Sequence, residues 1–285
     1  MTWFWLTMVY LVFLVSAEVI NKKSLNNLKI DAVIFGAFVQ LATAIFGFGI
    51  ALSTGWKFHF DTTSIALSVG MAITYFCAIS LYFTGLKKVD LSLASIFGSV
   101  GSMFSLILGT ILLHESFGLS KLAGITLIIV ANCLLFFKSS STKMNKYVLI
   151  IITSTFFYAL GAIFDKKLNT YGNAISYLSL SFSFAGIGLL LGHYKRFLQA
   201  FSGSFKNKAF WYGITTNGLL YSLGFWALFT AYSDGGEVSR MYPITMSTAI
   251  IIPIAGILFL GERKAIMRKV AAAAIALLGL WVLGR

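Results

Sequence analysis

Residues 91–136 read LSLASIFGSVGSMFSLILGTILLHESFGLSKLAGITLIIVANCLLF, and residues 235–284 read GGEVSRMYPITMSTAIIIPIAGILFLGERKAIMRKVAAAAIALLGLWVLG. Each stretch is a long apolar run, a short charged break and a second apolar run. The breaks match: Leu113-His114-Glu115 followed by Lys121, and Leu260-Gly261-Glu262 followed by Arg268. A helix that crosses a bilayer needs about 20 mainly apolar residues. Continuous runs of that length exclude the alternating pattern of barrel strands. In hydrocarbon the backbone must bond to itself, which leaves the helix. The decisive feature is therefore a pair of membrane-spanning helices that occurs twice.

Outward from these stretches the pattern continues. Ten apolar runs are predicted as helices, at roughly 3–20, 33–54, 65–86, 91–113, 121–137, 147–164, 174–192, 210–232, 238–260 and 267–283. Hydrophobic residues make up 58% of the 285 and charged residues only 11%, with mean hydropathy +0.88. Soluble domains are about 45–50% apolar and about 25% charged. The balance excludes a soluble enzyme, a disordered chain and a disulfide-built module. Cys77 and Cys133 lie inside apolar runs and offer neither metal spacing nor a disulfide framework. Val15-Ser16-Ala17 before Glu18 resembles a signal-cleavage site, but no basic segment precedes it, so the first run is expected to stay as a helix.

The whole chain repeats with a period of about 145 residues. Asn21-Lys22-Lys23 ends the first run and Asp165-Lys166-Lys167 the sixth. Tyr75 and Phe83-Thr84 in the third run correspond to Tyr221 and Phe229-Thr230 in the eighth. The expected class is all-α: a polytopic membrane protein of ten transmembrane helices, arranged as two five-helix repeats over 1–140 and 141–285. Five is odd, so the second repeat enters the membrane inverted, the usual build of a secondary transporter, with two half-sites around a midplane cavity.

The two stretches resemble the EamA repeat of the drug/metabolite transporter superfamily. The family mark is a small-residue helix start, a proline in the helix, a terminal Gly-Glu-Arg and a following apolar helix. The second copy carries it at Pro243 and Gly261-Glu262-Arg263; the first has Ile96 in place of proline and His114-Glu115-Ser116 in place of Gly-Glu-Arg. The resemblance covers essentially the whole chain and implies export or exchange of metabolites, amino acids, nucleotide-linked sugars or drugs. The fold leaves the substrate open.

Net charge is +13, from 22 Lys and Arg against 9 Asp and Glu. The bases sit in short loops, which suits anionic headgroups rather than nucleic acid. Only Lys57, Lys121, Lys166, Lys167, Arg240 and Arg285 fall on the side that carries the termini. The positive-inside rule places that side outside the cytoplasm. The family resemblance implies cytoplasmic termini, so the two indications oppose each other.

Candidate substrate contacts start with Glu18, a carboxylate within the first run. An acidic residue at a helix centre is unfavourable by roughly 2.5–3.5 kcal/mol and needs a reason. Ala17-Glu18-Val19-Ile20 resembles the first helix of the small multidrug resistance proteins, where the glutamate binds protons or a cationic drug. The structural alternative is an i,i+4 pair with Lys22. Arg240 offers a bidentate fork for a carboxylate or phosphate, or a partner for Glu237. Tyr75, Tyr82, Tyr158, Tyr221 and Trp226 form either an aromatic lining for an organic cation or ordinary packing. Gln40 and Asn217 are amides inside apolar runs and need partners. Ser99 belongs to a stripe with Ser92, Ser95, Ser102 and Ser105 that lines a cavity or a close helix seam. Pro243 and Pro253 are the only prolines; Pro243 frees the Ser239 carbonyl and is the gating candidate, with a static bend as the alternative. Runs five and ten, rich in Ala and Gly, are expected at the flank as a packing or dimer face.

The resulting expectation is a secondary transporter of a small organic solute (metabolite, amino acid or drug-like cation) working by alternating access, with protons as a coupling ion. The alternative is a passive channel or a non-transporting membrane scaffold. No catalytic constellation, HExxH or phosphate-binding loop is present. The expected partners are the solute, the bilayer and protons, with no nucleic acid, no metal and no cofactor. The expected state is a monomer or homodimer, multi-pass in a bacterial inner membrane.

Overall fold

Helix boundaries follow the apolar runs closely. A computed structural model describes residues 2–27, 31–86, 97–136, 146–201, 208–248, 250–251 and 266–284. The helices are α1 Thr2–Asn27, α2 Ala32–Thr54, α3 Thr62–Leu86, α4 Gly101–Leu113, α5 Leu119–Phe136, α6 Lys146–Leu168, α7 Ala174–Gly192, α8 Tyr194–Phe201, α9 Lys208–Ser233, α10 Val238–Met246 and α11 Ile266–Leu283. No strand occurs among the described residues; Phe58 and Gly172 form an isolated bridge. Segments Val33–Thr54, Thr62–Tyr82, Lys146–Tyr171 and Ala174–Gly192 are each long and apolar enough to cross a membrane. Pro253, Ile96 and Gly261-Glu262-Arg263 lie outside the described residues.

Two differences from the sequence reading bear on function. Helix α6 runs on to Leu168, past the predicted end at 164, and takes Asp165 into the helix. The loop after run seven contains a further short helix, α8, whose sequence YKRFLQAF is amphipathic. Starts are set by local chemistry. Asp31 caps α2 by accepting from Val33 N at 2.9 Å, and Asn173 caps α7 by accepting from Ser176 N at 2.9 Å.

The chain forms two compact units, and each draws on both halves of the sequence. One comprises Thr2–Phe76 and Phe164–Gly235, the other Cys77–Ile163 and Gly236–Arg285. In the first unit α1 packs on α9, and α2 packs on both α7 and α9. Phe35 and Val39 of α2 meet Phe210 and Ile214 of α9. In the second unit α5 packs on α11 and α4 on α10. The small-residue faces of runs five and ten meet here: Ala131, Ala272 and Ala276 share a buried cluster with Ile250.

Glycines set these close approaches, since lipid supplies no hydrophobic drive between helices and contact depends on packing. A Cβ on Gly218 of α9 would lie 2.6 Å from Ala42 Cβ and 3.1 Å from Thr43 N of α2. Gly218→Ala should therefore cost about 1–3 kcal/mol by forcing the two backbones apart. Gly36→Ala, where the added carbon meets open space, should instead be neutral or slightly stabilising. Thermal unfolding of the two purified variants in detergent separates the outcomes.

Candidate functional site

The first unit holds a buried carboxylate. Asp165 is only 4% exposed, in the last turn of α6, where Lys166 and Lys167 follow it. Tyr75 on α3 donates to Oδ2 at 2.5 Å, and Tyr177 on α7 donates to Oδ1 at 2.5 Å. Helical spacing explains the convergence. Met71 and Tyr75 are four apart on α3, and Tyr177 and Ser181 four apart on α7, so each pair shares a face. The Tyr177 hydroxyl also lies 3.1 Å from Met71 Sδ, and the Ser181 hydroxyl 3.4 Å from the same sulfur. Among the described residues no ion pair reaches Asp165.

An aromatic stripe leads to this site. Tyr221, Phe225 and Phe229 recur every four residues on α9, with ring centroids 6.0 and 5.8 Å apart. Phe225 also meets Tyr10 at 5.0 Å and Phe182 at 4.7 Å; Phe229 meets Tyr177 edge-on at 4.9 Å. Asn169 fixes the end of α9, donating to Phe229 O at 2.8 Å and Ser233 Oγ at 2.9 Å.

The second unit holds a different polar cluster, at the start of α10. Glu115 is 7% exposed and accepts from Val238 N at 2.7 Å, Ser239 N at 2.9 Å and Ser239 Oγ at 2.5 Å. It caps a helix from outside that helix, satisfying amides that otherwise have no partner. Lys121, 1% exposed, pairs with Glu237 at 2.9 Å and donates to Ser116 O and Ser239 Oγ. Arg240 Nε lies 2.9 Å from the same Glu237 oxygen, and Nη1 donates to Leu283 O at 3.4 Å.

Burial pushes the Glu237 carboxyl up. The Lys121 hydrogen bond and charge, the Ser116 amide and the Arg240 charge outweigh it and hold the group below its usual 4.5. A carboxyl held low stabilises the fold where it is ionised, and that contribution fades as pH falls through the folded-state value. The wild type should therefore lose thermal stability more steeply below pH 4.5 than Glu237→Gln, which has no proton to take up there. Melting curves across the acid range test this.

The EamA-like transporter family profile matches residues 1–137 and again 145–285. The chain belongs to the EamA-like transporter family. This EamA protein is thus an all-helical, polytopic integral membrane protein and a membrane transporter of the drug/metabolite superfamily. Among solved structures, 29 chains are similar to it. One, a crystal structure, has 11% identity and a TM-score of 0.79, with 98% of this chain and 95% of that chain covered; the likeness concerns the fold. No curated protein sequence matches.

In this EamA protein the residues expected from sequence are distributed as follows. Tyr75 and Tyr221 belong to the first unit, Tyr75 at Asp165 and Tyr221 on the stripe, its hydroxyl accepting from Asn21 at 2.8 Å. Trp226, on the same helix, is 43% exposed. Asn217 is fully buried; its amide donates to Gly213 O at 2.9 Å, while its Oδ1 has no partner among the described residues. Gln40 is half-buried on α2. The side chain of Glu18 lies outside those described; its backbone is in α1. In the second unit Tyr82 and Tyr158 form an edge-on ring pair at 6.5 Å. Ser99 is buried, as are Ser102 and Ser105, and Gly101 lies against Tyr242 and Thr155, so the described part of the serine stripe is packed. Arg240 is in an ion pair with Glu237. Pro243 is buried inside α10.

Sequence reasoning missed Asp165, Tyr177 and Met71. It treated Asp165-Lys166-Lys167 as the close of run six. The argument applied to Glu18, an acid in an apolar run, applies equally to Asp165 once the helix is allowed its last turn.

Proposed function

We propose that this EamA protein is a secondary transporter that moves a small organic solute (a metabolite, amino acid or drug-like cation) across a bacterial inner membrane by alternating access. The supporting observation is a buried carboxylate at the end of an aromatic stripe, inside a chain built of two family repeats. A charged group in such a place is costly and is kept for ion or substrate work. Aromatic faces beside it suit a solute with a cationic or amino group. Five spans per repeat make the two repeats inverted, which is the arrangement that alternating access uses. Tyr75 and Tyr221 on the first unit, with Glu18 on α1, are the proposed solute contacts, and Pro243 is the proposed gating position.

Reconstituted vesicles test the reading. Uptake of labelled amino acids and organic cations, with and without a pH gradient, should saturate and be competed by unlabelled solute for at least one class. Flux that rises linearly without competition would indicate a channel, and no flux above empty vesicles for any solute would indicate a scaffold. Glu18→Gln is expected to abolish uptake driven by the pH gradient; gradient-driven uptake equal to wild type would remove Glu18 from coupling.

A further inference from the structure

We propose that Asp165 is a proton-binding site of this transporter, able to hold or release one proton without any movement of the backbone. The inference rests on the transport reading for its role in coupling, and on the geometry around one hydroxyl for its chemistry. Ionised, the carboxylate accepts from Tyr75 at Oδ2 and from Tyr177 at Oδ1. Protonated, the carboxyl has an O–H that needs an acceptor, because an unmatched buried donor is expensive. Tyr177 provides one. Its hydroxyl lies within reach of both Asp165 Oδ1 and Met71 Sδ. Rotation about its C–O bond turns the Tyr177 hydrogen from the carboxylate to the sulfur, a weak acceptor, and leaves the phenol oxygen free to accept from the new carboxyl O–H. Tyr75 keeps its bond to the other oxygen.

The proton balance is simple. One proton arrives from water or leaves to it; both tyrosines stay protonated, and no other bond forms or breaks. The titratable groups around the site are Tyr75 from α3, Tyr177 from α7 and Tyr232 from α9, the last interacting electrostatically with both tyrosines. On its own helix Lys166 is half-buried and Lys167 exposed. Among the described residues no cation is paired with Asp165, so the charge of the ionised state is uncompensated and is removed on protonation.

Infrared difference spectroscopy of the purified wild-type protein in lipid, titrated with pH, reads the site without any solute. A protonated-carboxyl band should appear on acidification and be missing in Asp165→Asn. Tyr75→Phe removes a donor that bonds the ionised form more strongly than the protonated one and should move the midpoint to higher pH by about one unit. Met71→Leu removes the acceptor needed by the protonated form and should move it to lower pH. The two opposed shifts carry the test if Asp165→Asn does not fold. A band unchanged in Asp165→Asn, or midpoints equal to wild type in both other variants, would overturn the proposal. Solute uptake retained without such a titration would sink this inference alone. The titration without any solute flux would sink the transport reading and leave the proton site standing.

Discussion

Replacing Glu115 by alanine should lower the midpoint of thermal unfolding by on the order of 10 °C, from a loss of about 3–5 kcal/mol. The carboxylate accepts from two backbone amides and one hydroxyl at the start of α10, and is itself buried. Each orphaned buried donor costs about 1–3 kcal/mol. The effect should not be local to one residue. Lys121 shares Ser239 Oγ with Glu115 and holds Glu237 as well. Lys121→Met should therefore be destabilising alone, and the double variant should cost less than the sum, with a coupling of about 0.5–3 kcal/mol. Glu115→Gln, which keeps an acceptor oxygen but turns an amide NH2 toward donors, should fall between wild type and Glu115→Ala. Melting points of the four variants and the wild type in one detergent decide the matter; a Glu115→Ala variant as stable as wild type would mean that α10 finds its cap elsewhere.

This cluster shows how far the sequence could be read. Leu113-His114-Glu115 and Lys121 stand out as one of two matching breaks, and the repeat makes them visible. What they do was not legible, because the cap they supply belongs to residues 238 and 239, more than a hundred positions away. Placement of the long apolar helices was legible in the described residues, since an apolar run of spanning length has few alternatives in lipid, whereas the short amphipathic α8 and the last turn of α6 were not. The aromatics were legible only as a set. Tyr75, Tyr221 and Trp226 have the same composition signal, yet two face buried groups and the third is exposed; rotation of a uniformly apolar helix about its axis leaves no trace in its hydropathy. Asp165 was hidden by a boundary error: it stands one residue past the predicted end of its run, while the helix continues for a further turn to Leu168. Arg240 carried two readings, and its pairing with Glu237 was one of the two that the sequence made visible.

The second large effect separates stability from function at Asp165. Asp165→Leu alone leaves the hydroxyls of Tyr75 and Tyr177 without the carboxylate they bond to, and should cost about 1–3 kcal/mol. The triple variant Asp165→Leu, Tyr75→Phe, Tyr177→Phe removes the whole polar set and fills the site with apolar atoms. Exchanges of that kind are neutral or stabilising by about 1–4 kcal/mol, because a buried charge is paid for in desolvation. The triple variant should therefore melt at or above the wild-type temperature while solute uptake in vesicles falls to that of empty ones. A carboxylate kept solely for packing predicts the reverse, a triple variant that is less stable and still transports. If the triple variant is both stable and active, the cluster contributes to neither property and the role of Asp165 in coupling is lost. If it is stable and inactive, the buried charge is retained at the expense of the fold, and transport is the remaining reason for keeping it.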